Sequence, residues 1–159
     1  MRAALLFAAG VFVGLTIQAG PSAQVNRVTA VNHVGITVEN FDEAVKFYTQ
    51  TMGFREAFAY RDDKGAPALT YLQVSRETFI ELQPATADRR PGISHIGLEV
   101  PSISAALARL KGLGVTTEEP RKGRTDGLLS NITGPGNARF ELVELPPDSA
   151  PRKAMAAWK

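Results

Sequence analysis

Four side chains in this 159-residue sequence combine the types and the spacing that metal chemistry needs. The only two histidines, His33 and His95, sit in closely similar settings: Val31-Asn32-His33-Val34-Gly35-Ile36-Thr37-Val38 and Ile93-Ser94-His95-Ile96-Gly97-Leu98-Glu99-Val100. Glu81 and Glu141 are separated by almost the same interval as the histidines, about sixty residues, the mark of a duplicated supersecondary unit. Two imidazoles and two carboxylates converging on one point form a mixed nitrogen and oxygen ligand set for a divalent ion. Nickel and zinc suit it best, and iron, cobalt and manganese accept the same donors. Six-coordinate geometry would leave two positions for a substrate's oxygens, and an open site implies catalysis more than structure. Taken singly, a strand histidine is more often a satisfied polar residue, and a strand glutamate often faces solvent. What joins the four is their matched place in a repeat.

The elements that must position them follow from periodicity. From Thr29 to Val38 the residues alternate, with Val34, Ile36 and Val38 on one face and His33, Gly35 and Thr37 on the other. Asn40 and Glu43 resemble a capping pair, and Phe41, Ala44, Val45, Tyr48 and Met52 recur at helical spacing until Gly53, predicting an amphipathic helix of about three turns. Three short strands follow, at Phe54 to Tyr60, Leu69 to Val74 and Thr78 to Gln83. Ala85 to Gly92 is a polar link. The second copy repeats the plan: a strand around His95, a helix capped by Ser102, and strands at Val115 to Glu118, Gly127 to Thr133 and Ala138 to Leu145. The fold expected is therefore α+β. Two tandem βαβββ modules, residues 29–84 and 92–145, form a cupped, eight-stranded mixed sheet with helices on its outer face and the four ligands inside. The tail, 146–159, shows no clear pattern.

Composition bounds the alternatives. A chain that is 44% hydrophobic and 21% charged suits one domain with its own core. A net charge of +2, without a basic run interleaved with aromatics, gives no support to nucleic-acid binding. Residues 1–23 read as a secretory signal peptide: a short positive start, an apolar run from Ala3 to Ile17, and small residues for cleavage after Ala19 or Ala23. That run spans only about 22 Å as a helix, short of a hydrocarbon core about 30 Å thick. The expected location is secreted or periplasmic, with no membrane attachment after cleavage. The sequence has no cysteine, which excludes a lipid-anchoring cysteine and any disulfide framework.

From about Val31 to Leu145 the chain resembles the vicinal oxygen chelate superfamily, which includes glyoxalase I, methylmalonyl-CoA epimerase, extradiol dioxygenases and drug-resistance binding proteins. The resemblance rests on His33, the run Phe41-Asp42-Glu43-Ala44-Val45-Lys46-Phe47-Tyr48, Met52-Gly53-Phe54, Phe79-Ile80-Glu81-Leu82, the strand around His95, and Phe140-Glu141-Leu142. The full ligand set is most similar to that of glyoxalase I. The epimerase often has glutamine at the place of Glu81, and extradiol dioxygenases use two histidines and one glutamate. The resemblance implies a metal-dependent lyase or isomerase acting on a small carbonyl substrate chelated through vicinal oxygens. Either Glu141 or Glu81 would shuttle the proton, and the chain would form a homodimer. It also implies that the loop bearing Arg121, Lys122 and Arg124 meets an anionic substrate tail. Export makes a glutathione adduct an awkward substrate and moves weight to another metal-chelating small molecule. An extradiol-type dioxygenase and a non-catalytic drug or metabolite binder remain as alternatives.

Overall fold

The computed structural model describes residues 27–159, so the expected signal segment lies outside the described residues. The first module runs β1 (Ala30–Val38), α1 (Phe41–Lys46), β2 (Arg55–Arg61), β3 (Pro67–Gln73) and β4 (Phe79–Pro84). The second runs β5 (Gly92–Glu99), α2 (Ile103–Gly112), β6 (Arg121–Lys122), β7 (Leu128–Thr133) and β8 (Arg139–Glu144), and a third helix, α3 (Ala150–Ala156), ends the chain. All eight strands form one sheet in the order β2-β3-β4-β1-β5-β8-β7-β6. Within each module the first strand lies parallel to the last, β1 on β4 and β5 on β8, and the modules join where β1 runs antiparallel to β5. The two histidine strands are thus neighbours at the centre of a curled half-barrel, with the two glutamate strands flanking them.

Local chemistry explains where elements begin and stop. The Asn40 carboxamide accepts from the Glu43 amide at 3.2 Å and donates to the Glu43 carboxylate at 2.9 Å, closing a reciprocal cap on α1. Past Lys46 the predicted three-turn helix widens into a π turn, Phe47–Thr51. There the Thr49 hydroxyl donates to the Val45 carbonyl at 2.8 Å, a side-chain bond that competes with the backbone ladder and bends it. The predicted strand at Val115 to Glu118 is reduced to a single bridge between Thr117 and Ile132, and pairing resumes only at Arg121–Lys122. Pro120 has no amide to donate, so a continuous ladder cannot pass through it.

The core differs from the expected one. Ile103, Ala106 and Leu107 of α2 pack with Val100 and Leu142 on the convex side, as an amphipathic cover should. Yet Val34, Ile36 and Val38 are only half-buried, and α1 buries no residue. The second core cluster lies inside the cup, where Leu69, Tyr71, Phe79, Leu129, Val143 and Leu145 meet Ala154 and Met155 of α3. The tail that shows no pattern in the sequence is a helix started by Pro151 in its first turn, a position proline favours, and it fills one end of the cup. Among the described residues no helix is long and apolar enough to cross a membrane.

Candidate metal centre

His33, Glu81, His95 and Glu141 converge inside the cup, all buried, each offering one donor atom within 4.8 Å of the others. Strand register brings them together. Gly35 of β1 is paired with Glu81 of β4, and Gly97 of β5 with Glu141 of β8. Across the module boundary His33 faces Gly97 and Gly35 faces His95. Each glycine makes room for the other module's imidazole. A Cβ at Gly97 would stand 2.2 Å from Cε1 of His33, and one at Gly35 would stand 2.2 Å from Cε1 of His95. No other residue type leaves both rings in place.

The donors are close enough to share one ion. His33 Nε2 lies 2.9 Å from His95 Nε2, 3.5 Å from Glu81 and 3.6 Å from Glu141, and His95 Nε2 lies 3.9 and 4.0 Å from the same carboxylates. Ligands about 2.0–2.2 Å from a common ion stand no more than about 4.4 Å apart; the five separations that involve a histidine meet that bound, and the two carboxylates lie within 4.8 Å of each other. The outer nitrogens fit as well. His33 Nδ1 lies 3.0 Å from the Asn32 carboxamide oxygen, and His95 Nδ1 lies 3.0 Å from the Ser94 hydroxyl. In a neutral imidazole, donation from Nδ1 leaves the lone pair on Nε2. With both Nδ1 atoms donating, both Nε2 lone pairs are available to one cation; with a proton on the His95 Nε2, that N–H donates to His33 across 2.9 Å instead.

The two carboxylates are held differently. Glu81 accepts from the Tyr71 hydroxyl through one oxygen and from the Gln83 carboxamide through the other, and Arg89 in turn donates to Gln83. Glu141 has Arg121 at 3.8 Å as its cationic neighbour. Burial pushes the Tyr71 phenol well above its ordinary range, and Glu81 beside it adds to the effect, so Tyr71 remains a donor. Burial also lowers the His95 imidazole, against the opposing pull of Glu81, favouring the neutral ring that ligates metals. For Glu141, burial alone would raise the carboxyl. His33 at 3.6 Å, with His95 and Arg121, reverses that and holds it below the ordinary carboxylate range.

These four side chains form one wall of a cavity of about 340 Å³. Of the basic loop, Arg121 and Arg124 line the cavity and Lys122 does not. Neighbouring strand residues point to opposite faces, and with Arg121 turned inward the Lys122 ammonium pairs with Asp126 at 2.7 Å. Sequence reasoning missed Asn32 and Ser94, although a polar residue directly before each histidine is a visible signal. It also missed Tyr71, Gln83, Arg89 and Arg139, which no repeat marks.

Residues 32–129 match the family described as Glyoxalase/Bleomycin resistance protein/Dioxygenase superfamily. The chain belongs to that superfamily. Among solved structures, methylmalonyl-CoA epimerase from Mycobacterium tuberculosis is similar at 27% identity and TM-score 0.66, covering 76% of this chain and 90% of that one. A variant methylmalonyl-CoA epimerase from Streptomyces coelicolor in complex with 2-nitronate-propionyl-CoA matches at 22% identity and TM-score 0.64, over 77% of this chain and 99% of that one. A hypothetical protein from Bacillus halodurans matches at 22% identity and TM-score 0.62, over 74% of this chain and 94% of that one. The last two share the superfamily's fold with this chain.

Proposed function

We propose that this chain is a metal-dependent isomerase of the epimerase and glyoxalase kind, moving a proton on the carbon next to a carbonyl whose neighbouring oxygens chelate the metal. The observation that carries the reading is the buried convergence of His33, Glu81, His95 and Glu141, with donor atoms within 4.8 Å. A divalent ion held there would polarise the chelated carbonyl and stabilise the negative charge that develops on its oxygen. The chain's own groups divide the remaining work. Asn32 and Ser94 orient the two imidazoles. Tyr71 and Gln83 occupy both oxygens of Glu81 and fix it as a ligand. Glu141, without such a clamp and held as a carboxylate, is free to take the proton and return it. Similarity to epimerases supports proton transfer over oxygen chemistry, and Glu81, as a fourth ligand, supports it further.

The test is metal content of the protein purified without chelator or affinity nickel, beside Glu81→Ala and Glu141→Gln, with solvent deuterium incorporation into 2-oxo acids followed by NMR. About one divalent ion per chain, lost from Glu81→Ala, is expected from a site needing all its donors. Deuterium exchange is expected in the parent protein and absent from Glu141→Gln. Iron retained by Glu81→Ala, with oxygen uptake on catechols, would instead establish the dioxygenase alternative. No metal under any loading condition would leave a binding cup and overturn the proposal.

A further inference from the structure

The cavity beside the four buried donors is small, walled on one side by α3 and lined by excess positive charge. Pro151 of α3 is buried and lines it directly. That wall is fixed in place: the Ala150 amide donates to the Thr125 carbonyl at 3.0 Å, and the Arg55 guanidinium donates to the carbonyls of Ala154 and Ala157 at 3.2 and 3.1 Å. At about 340 Å³ the space lies near the lower end of small-molecule sites. Four guanidinium groups line it, those of Arg89, Arg121, Arg124 and Arg139, against the carboxylates of Glu81 and Glu141 alone. Among the described residues Arg121 has a carboxylate partner, Glu141, and the other three form no ion pair. A divalent ion would offset both glutamates and leave the arginine charge in excess. In a confined site such charge focuses on anions, and the planar guanidinium fork matches carboxylate and phosphate oxygens in pairs.

Resting on the metal-centre reading, we propose that the substrate is a compact polyanion. It is a free 2-oxo or 2-hydroxy acid carrying a second carboxylate or a phosphate, with its vicinal oxygens at the four ligands and its second anionic group at the arginines. A coenzyme A thioester is larger than the cavity and would have to leave much of its length outside, across the arginine rim.

The experiment uses the full-length, nickel-loaded protein and isothermal titration with a matched pair of probes. 2-Oxoglutarate and 2-oxopentanoate share one chelating head and differ only in a terminal carboxylate against a methyl group. 2-Oxoglutarate is expected to bind at least about tenfold more tightly, the discrimination one well-placed charged contact supplies. The double variant Arg124→Gln/Arg139→Gln, altered at exposed positions, is expected to remove that advantage. Free coenzyme A is expected not to compete. Equal affinity for the two acids, or an advantage that survives the double variant, overturns the inference while leaving the metal centre intact. Competition by coenzyme A overturns it in favour of a carrier-bound substrate. Protein that retains no metal and binds neither acid overturns the metal-centre reading and this inference with it.

Discussion

Each histidine of the centre depends on an atom that is missing from the other module. Because the ring of His33 lies over Gly97 and that of His95 over Gly35, adding one methyl group at either glycine forces the ring out of the site. Gly97→Ala is expected to cost about 1–3 kcal/mol, the range for overpacking a well-packed interior, and to abolish metal retention. Urea denaturation and metal analysis on the same sample check both; a variant that keeps its metal would show that the rings are not held by this contact. Titration gives a second residue-scale prediction, for the metal-free protein. His95 has its folded-state value lowered, so between that value and the unfolded one, about 6.5, the unfolded chain binds more protons and stability falls as pH falls. Glu141 is also lowered, so its contribution is present above the ordinary carboxylate value and is lost as pH drops through the folded one. Both act in the same direction. The Tm of the metal-free protein should decline on acidification below about pH 6.5 and decline again below about pH 4.3, whereas a Tm that rises toward pH 5 would contradict the His95 assignment and one that rises below about pH 4.3 the Glu141 assignment.

At the scale of elements, strands were easier to read than the helices that cover them. Period-two alternation places His33, Glu81, His95 and Glu141 on one face because side-chain direction in a strand is fixed by position alone. Helix α1 was legible at its start, where Asn40 and Glu43 cap it, but not in its course, because the bond from Thr49 to Val45 reshapes the last turns. The broken edge at β6 was written in Pro120, which the alternation of Val115 to Glu118 conceals. Helix α2 shows how an element is tied to the site it supports. Its first amides are satisfied by the Ser102 hydroxyl, which accepts from Ala105 at 3.4 Å, and by the Glu144 carboxylate of β8, which accepts from Ile103 at 2.8 Å. Ser102→Ala should cost about 1 kcal/mol through the lost cap, and Glu144→Ala about 0.3–1 kcal/mol through the lost charge at the helix N-terminus. Chemical denaturation of the two single variants and the double variant checks this. Costs that add would show independent caps, and a double variant that costs more than the sum would show that each group takes over the other's amides when its partner is lost.

For the whole molecule, the repeat made the two-module plan legible, and the convergence of the two histidines and two glutamates followed because duplication puts the same residue types at equivalent strands. The location of the core did not follow. The alternation that sorts Val34, Ile36 and Val38 from His33 and Thr37 says which residues share a face, not which face the rest of the chain covers. Here α3 covers part of the concave face, and its seven residues are too few to establish a periodicity against background. That helix carries a prediction about how the molecule holds together. Met155 is buried among residues of both modules, Tyr71 and Phe79 from the first and Val143 and Leu145 from the second. Trp158, three residues on, is half-buried, and its ring lies 5.4 Å from the Arg55 guanidinium. Met155→Ala should therefore cost about 2–5 kcal/mol by leaving a cavity between the modules, while Trp158→Ala should cost about 0.5–1 kcal/mol, the worth of an exposed cation–π contact. If α3 were only an appendage, both would fall within about 0.5 kcal/mol of the parent. If it locks the cup, Met155→Ala is by far the more damaging of the two. Because Tyr71 both packs near Met155 and donates to Glu81, metal affinity should fall together with stability in that variant.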